Sequence, residues 1–308
     1  MVLFLFVGQS GQCCINEYRT LLSGKVIFTD AGNAAPIGRF NANNKPYLLK
    51  KLREADSIYR QTGKLEDYSD LGSMLIYTGQ YLKAKQIFQD IEQKTPGLYQ
   101  TASNLGTVYE LLGQNDSALY WIKRAVEINP NSHNGSEWIH VKILEAKAKA
   151  NGDEKYLWTY SILSLDFGDD KTPVNKNNLD LQNLRDHLYD QLNERMSFIK
   201  PKDPIVAQLL FDLGNVSALT RDATSGLQIY QSAKDYGYTS DLFDKRLSYF
   251  EKLQLKADFR NNTERWAKDN PLIALLIVGT IFIAGLLGII FLFRRIKKRR
   301  YEKRSTNR

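Results

Sequence analysis

Cysteine is almost absent from this sequence, and the two that occur, Cys13 and Cys14, are adjacent. Neighbouring cysteines pair only in a strained ring, which excludes a fold held together by disulfides. The apolar run at residues 2–7 predicts that residues 1–14 are a signal segment, truncated because six apolar residues are too few for a complete one. A lipid-modified Cys13 is the alternative, but Gln12 stands where a small residue is expected and no basic region precedes the run.

Histidine is also scarce, and the motifs that carry catalysis are missing. His133, His140 and His187 are far apart, and we expect them on helix surfaces rather than in a metal site. No glycine-rich phosphate loop, nucleophile elbow or kinase signature occurs, and Asp169 and Asp170 belong to a predicted loop where solvated charge is typical. The sequence therefore predicts a binding protein rather than an enzyme, with no catalytic residues, metal or cofactor.

Most of the chain lacks a charge excess of either sign. The sequence has 42 basic and 34 acidic residues, but nine of the basic and one of the acidic residues lie within 294–308. Residues 1–293 therefore carry 33 of each sign and are neutral. Because a nucleic-acid-binding fold needs basic residues on its folded surface, no nucleic-acid partner is predicted.

One long apolar run is present, at residues 271–293. It carries no charged side chain, and 23 residues of helix are about 34 Å long against about 30 Å for a bilayer core. A single transmembrane helix in contact with the lipid bilayer is therefore predicted. Nine basic residues follow the run and three lie shortly before it, so the positive-inside rule places the tail at 294–308 in the cytoplasm.

Small residues recur along the predicted membrane helix. Thr280, Ala284 and Gly288 are four residues apart and share one helix face. Small side chains at such spacing let a second helix approach closely. Self-association of the chain through this face is therefore a hypothesis.

Upstream of the membrane helix, two stretches repeat with a period of 34 residues. The repeated positions are Leu71, Gly72, Leu75, Gly79, Ala84, Phe88 and Pro96, followed by Leu105, Gly106, Tyr109, Gly113, Ala118, Ile122 and Pro130. Glycine and alanine at the inner positions let two helices pack closely, and each proline ends the second helix because it has no backbone N–H. One such pair cannot bury its apolar face alone and must stack on neighbours.

The order of these residues resembles the tetratricopeptide repeat family. The resemblance implies an all-α fold, an α–α superhelix built of helix pairs, with its clearest repeats at 65–98 and 99–132. A degenerate repeat is expected at 133–166, and Gly214, Tyr230 and Ala233 reproduce the spacing in a further unit at 207–240. The predicted solenoid spans residues 46–257, between an N-terminal arm or loop at 15–45 and a polar spacer at 258–270.

By the same resemblance, the first helix of each pair lines a concave groove that binds peptide segments or protein partners. The residues predicted to face this groove are Ser69, Ser73, Tyr77, Gln100, Ser103, Thr107, Glu110 and Glu137. These features favour a membrane-anchored scaffold in the bacterial inner membrane, with the solenoid outside the cytoplasm. A tail-anchored adaptor that faces the cytoplasm is the alternative; a sensory ectodomain is disfavoured because only fifteen residues follow the membrane helix.

Overall fold

The computed structural model describes residues 35–38 and 45–305. All regular secondary structure in these ranges is helical, so the prediction of an all-α, tetratricopeptide-like fold is confirmed. The helices are α1 (Lys45–Thr62), α2 (Leu65–Tyr77), α3 (Tyr81–Lys94), α4 (Tyr99–Leu111), α5 (Asn115–Ile128), α6 (Glu137–Ala150), α7 (Glu154–Thr159), α8 (Leu181–Phe198), α9 (Pro204–Thr220), α10 (Ala223–Asp235), α11 (Asp241–Asp269) and α12 (Pro271–Ser305). A short 3-10 helix, Ser132–Gly135, precedes α6.

Some predictions concern residues that the structure does not describe. The signal segment at 1–14, most of the arm at 15–45 and the last three residues of the basic tail lie outside the described residues. The chain divides into two compact units, Met1–Glu251 and Lys252–Arg308. The first unit holds α1 to α10 and the beginning of α11, and the second holds the rest of α11 and α12.

The predicted repeats are helix pairs that pack through glycine. A Cβ atom added at Gly72 would lie 2.7 Å from Phe88 Cζ, and one added at Gly106 would lie 2.5 Å from Ile122 Cγ1. These distances are shorter than real Cβ contacts, so the first helix of each pair approaches the second as closely as its backbone allows. Ala84 and Ala118, at the facing positions, are fully buried.

The two turns within these pairs also match. Gly79 and Gly113 have φ angles of 78° and 73°, in the left-handed region that favours glycine. The second helices, α3 and α5, end at Lys94 and Ile128, two residues before Pro96 and Pro130. The 34-residue period therefore corresponds to a repeated backbone geometry as well as to repeated side chains.

The third pair is incomplete. Its first helix, α6, ends at Ala150, and the next residue, Asn151, has a φ angle of 45° and begins a turn. Its second helix, α7, has only six residues and ends at Thr159. Residues 160–180 contain no helix or strand before α8 begins.

The pair formed by α9 and α10 repeats the glycine contact. A Cβ atom at Gly214 would lie 2.5 Å from Tyr230 Cδ1, and both Tyr230 and Ala233 are fully buried. The beginning of α11 closes this pair with Phe243, whose ring lies 5.9 Å from that of Phe211. The predicted unit at 207–240 thus has the same close helix packing as the first two.

A buried arginine on α11 holds the irregular segment in place. Arg246 is 1% exposed and donates to the backbone carbonyls of Phe167, Gly168 and Asp170 at 2.5–3.0 Å. A third donor of its guanidinium reaches Asn215 Oδ1 at 2.7 Å. These bonds satisfy carbonyl groups that lack a helical partner.

Residues 258–269, predicted to be a spacer, are helical. They continue α11 without a glycine or proline to interrupt it. Side-chain pairs one turn apart, Gln254 with Asp258 and Arg260 with Glu264, accompany this polar stretch. The segment predicted to be a polar spacer is therefore a mostly exposed helix.

One helix among the described residues is long and apolar enough to cross a membrane. This stretch, Pro271–Ile296, lies at the start of α12, and none of it is buried. Thr280, Ala284 and Gly288 lie on this stretch, and a Cβ atom at Gly288 would meet open space.

Candidate functional site

The first helices of the three pairs, α2, α4 and α6, form the surface that we call the inner face. The sequence predicts an open groove there. In the structure, α8 lies against this surface, after a chain excursion through residues 160–180. The chain therefore supplies its own helix where a partner was expected.

Four side chains of α8 contact the inner face at helical spacing. The ring of Phe198 stacks on Tyr77 of α2, with centroids 5.7 Å apart. Gln191 donates to the hydroxyl of Ser136 at 3.1 Å, and Trp138 of α6 donates to His187 Nδ1 at 3.0 Å. The C-terminal end of α8 contacts α2 and its N-terminal half contacts α6, so the helix runs in the direction opposite to the order of the repeats.

The fourth contact is ionic and lies at the centre of the site. Arg195 Nη1 and Nη2 donate to the two carboxylate oxygens of Glu110 on α4, at 2.6 and 3.3 Å. Lys147 Nζ of α6 lies 2.5 Å from Glu110 Oε1, and His140 Nε2 lies 2.7 Å from Oε2. Burial disfavours the charged carboxylate, but the charges of Arg195 and Lys147 outweigh it and hold the pKa of Glu110 well below its usual range.

A histidine extends this ionic cluster along α6. His140 faces Glu110 with Nε2 and Glu137 with Nδ1, the second at 3.5 Å. Burial lowers the pKa of His140, but the two carboxylates outweigh burial and raise it, which favours the imidazolium with both ring nitrogens protonated. His133 Nδ1 contacts the other oxygen of Glu137. The pKa of Glu137 lies well below its usual value, because these histidine contacts overcome the cost of burial.

The expectation that the histidines lie on helix surfaces is wrong. His133, His140 and His187 are between 5% and 8% exposed. Glu137 and His140 are three residues apart on α6 and share one helix face. His133 lies before α6, in the 3-10 helix, and has a φ angle of 48°, so its contact with Glu137 does not follow from helical spacing. Across residues 35–38 and 45–305, no group of three or more histidine, cysteine and acidic side chains could hold a metal.

The eight predicted groove residues are not an open surface. Six of them are buried: Ser69, Ser73, Tyr77, Ser103, Thr107 and Glu137. Gln100 and Glu110 are of intermediate exposure, and the side chain of Glu110 is 7% exposed. Tyr77 and Glu110 contact α8 directly, whereas Ser73 donates to the carbonyl of Ser69 within α2. Their role in binding a partner stays a prediction.

Residues that the sequence did not single out complete the site. They are Lys147, Gln191, Arg195 and Phe198. On α8 the last three, together with His187, recur at intervals of four, four and three residues, which indicates a single helix face. Because this stripe is mostly polar, apolar periodicity in the sequence does not reveal it.

The contact between α8 and the inner face is incompletely filled. A cavity of about 150 Å³ lies between α4, α6 and α8, and its walls include Thr107, Leu111, Lys147, Arg195 and Phe198. Thr107 Oγ1 and Arg195 Nε are buried and have no hydrogen-bond partner among the described residues. The arrangement can hold a guanidinium and an aromatic ring against a helical surface.

No protein-family model matches the chain, and no curated protein shows significant similarity to it. Among solved structures, the chain is similar to a tetratricopeptide repeat protein from Parabacteroides merdae, with 11% identity over 68% of this chain and 94% of that one. The TM-score of this pair is 0.29, too low for the likeness to support an argument. The description of the fold as tetratricopeptide-like rests on the glycine-packed helix pairs themselves.

Proposed function

We propose that this chain is a tetratricopeptide family member that serves as a membrane-anchored scaffold for protein partners. The observation that carries the proposal is the inner face, where stacked helix pairs hold a further helix by an ion pair and an aromatic stack. Such a surface recognises helical segments through side chains spaced along one face. Binding rather than catalysis is favoured because the charged groups of the site are engaged with one another.

Partner binding at the inner face can be tested by photo-crosslinking in cells that express the full chain. A photoreactive amino acid at Gln100, half-buried on α4, should give a crosslink to a second protein. The matched control is Leu82 on α3, which is 66% exposed and away from the inner face. Crosslinks to another protein from Leu82 alone, or from neither position, would contradict a scaffold that uses its inner face.

Membrane anchoring is supported by the apolar stretch Pro271–Ile296. The nine basic residues at 294–308 favour a cytoplasmic tail, with the first unit outside the cytoplasm in a bacterial inner membrane. Protease added to intact spheroplasts should then cleave the first unit. Protection until the cells are lysed would support the tail-anchored, cytoplasm-facing alternative instead.

Self-association through the membrane helix belongs to the same proposal. Thr280, Ala284 and Gly288 would form the contact face, and the basic tail would lie against anionic headgroups. Gly288→Ile should lower the proportion of oligomer in detergent, because its side chain blocks close helix approach. Leu286→Ile, on the opposite face of the helix, is the control, and equal effects of the two changes would exclude this contact.

A further inference from the structure

Two different stripes run along α8. Leu184, Leu188, Leu192 and Met196 are four residues apart and are buried. The other stripe, made of His187, Gln191, Arg195 and Phe198, meets the inner face, and three of these four contacts are polar or ionic. The contact with the inner face therefore rests on polar recognition more than on apolar burial.

This contact is weaker than its number of partners suggests. A buried ion pair such as that of Arg195 with Glu110 gains little net free energy, because both charges must be desolvated. The pocket of about 150 Å³ leaves part of the contact unpacked, and the unpartnered Thr107 Oγ1 and Arg195 Nε each carry a desolvation cost. By contrast, α9, α10 and the beginning of α11 pack through Phe211, Tyr230 and other aromatic rings.

Departure of α8 would leave no buried carboxylate without a counter-ion. Glu110 keeps Lys147 at 2.5 Å and His140 at 2.7 Å, both on α6, after Arg195 leaves. Glu137 likewise keeps its contacts with the histidines of its own segment. The inner face is thus neutralised from within, and Arg195 returns to water, where its charge is solvated at no cost.

The segment before α8 has no helix or strand over residues 171–180, and Arg246 holds the turn that precedes it. Two bonds fold this segment back on that turn, from the Val174 N–H to the Phe167 carbonyl at 3.0 Å and from the Asp166 N–H to Asn177 Oδ1 at 3.1 Å. When these two bonds break, ten extended residues reach about 30 Å, enough for α8 to move off the inner face while Arg246 still holds the turn.

We propose that α8 is an exchangeable occupant of the inner face and that a partner helix of the same side-chain pattern replaces it. That pattern is an arginine, a glutamine four residues before it and an aromatic residue three residues after it, as in Gln191, Arg195 and Phe198. The arginine meets Glu110, the aromatic ring stacks on Tyr77, and the glutamine bonds Ser136. The exchange of α8 for a partner helix rests on the scaffold function proposed above and specifies the kind of partner that the scaffold binds.

The test uses a fluorescent peptide with the sequence of residues 181–198 and the full chain in detergent. The chain is prepared unchanged and with Arg195→Ala plus Phe198→Ala, which removes the two main side chains of α8 from the inner face. Because resident α8 lowers the fraction of chains that are free to bind, the peptide should bind the variant chain at least about tenfold more tightly than the unchanged chain, by fluorescence anisotropy. Equal affinity for the two chains, or no binding to either, would overturn the exchange.

A matched peptide separates recognition of the pattern from general helix binding. Its single change corresponds to Arg195→Glu, which places a carboxylate against Glu110 and should abolish binding to the variant chain. Retained binding of this peptide would overturn the proposed pattern.

Hydrogen exchange on the unchanged chain keeps the proposal testable if the double variant does not fold. An isotopically heavy 181–198 peptide in excess should speed hydrogen exchange of the chain's own α8 amides and leave exchange of the α9 amides unchanged. The charge-reversed peptide should change exchange in neither helix. Unaltered α8 exchange would overturn the proposal. If the Gln100 crosslink succeeds while the peptide fails, the scaffold function stands and only the exchange falls.

Discussion

Gly106 is the position where a single methyl group should test the repeat architecture. It lies where α4 approaches α5, and an added Cβ atom would be 2.5 Å from Ile122 Cγ1 and 3.3 Å from the backbone nitrogen of Ile122. The second distance matters because a side chain can rotate away, whereas the backbone of α5 has to move. Gly106→Ala therefore forces the two helices apart.

Two opposing effects set the magnitude. Alanine in a helix interior is about 1 kcal/mol more favourable than glycine. Overpacking a filled core costs about 1–3 kcal/mol, and contact with the backbone places this site at the upper end of that range. We expect Gly106→Ala to lower the free energy of unfolding by about 1–2 kcal/mol.

Urea unfolding of the full chain in detergent, followed by tryptophan fluorescence, measures this change, with Trp121 of α5 as a local reporter. Gly226→Ala is a second test, because an added Cβ atom there would lie 3.0 Å from Ala218 Cβ and 3.2 Å from the backbone Cα of Ala218. This change should lower the free energy of unfolding for the same reason.

A second substitution checks the cause. In an Ile122→Ala background the two closest side-chain atoms are gone but the backbone nitrogen at 3.3 Å remains, so Gly106→Ala should destabilise less than it does in the wild-type chain. If Gly106→Ala is as stable as the wild-type chain, or if Ile122→Ala does not alter its effect, the close packing of α4 on α5 is refuted.

Three further changes test buried polar groups by urea unfolding. Arg246→Ala should lower the free energy of unfolding by about 3 kcal/mol, because it leaves buried carbonyl groups without a hydrogen-bond donor. Lys245→Ala, which changes the half-exposed neighbour, should lower it by less than about 0.5 kcal/mol. Equal losses for the two variants would contradict the role of Arg246 in holding the irregular segment. Burial raises the pKa of Asp212 to about 7, so the free energy of unfolding should fall by up to about 4 kcal/mol as pH rises from about 4 to about 7 and stay level above. Asp212→Asn should remove this fall, and an unchanged pH profile would exclude the role of Asp212. The pKa of His140 is raised because Glu110 and a second carboxylate outweigh burial; the stability it contributes is present below its unfolded pKa of about 6.5 and is lost as pH rises through the folded pKa. His140→Gln should therefore flatten the decline in the free energy of unfolding above pH 6.5, and a decline as steep as that of the wild-type chain would contradict the contacts of His140 with Glu110 and Glu137.

Much of the fold follows from contacts between residues close in the sequence. Gly72 meets Phe88 and Gly106 meets Ile122, each pair sixteen residues apart, within one helix pair. Because these contacts recur every 34 residues, the same residue types recur as well, and the pattern is legible in one sequence. The apolar stretch of α12 is legible for a similar reason, since length and composition alone determine whether a helix can cross a bilayer.

The candidate site follows different rules. Glu110 was predicted to face an open groove, and it does lie on the inner face, but its partner Arg195 is 85 residues away in the sequence. No sequence periodicity relates two residues so far apart. Their pairing depends on the position of α8, which is determined by the path of the irregular segment before it. The burial of His140 depends on the same event.

The sequence by itself determined the helix pairs, their spacing and the apolar helix, because those depend on local periodicity and on composition. Only the tertiary structure decided that α8 covers the inner face and that Glu110, His140 and Arg195 form one buried ionic cluster. The physical reason is that ion pairs between distant segments require charges that are common on any surface, so nothing in the residues themselves marks them until folding brings them together.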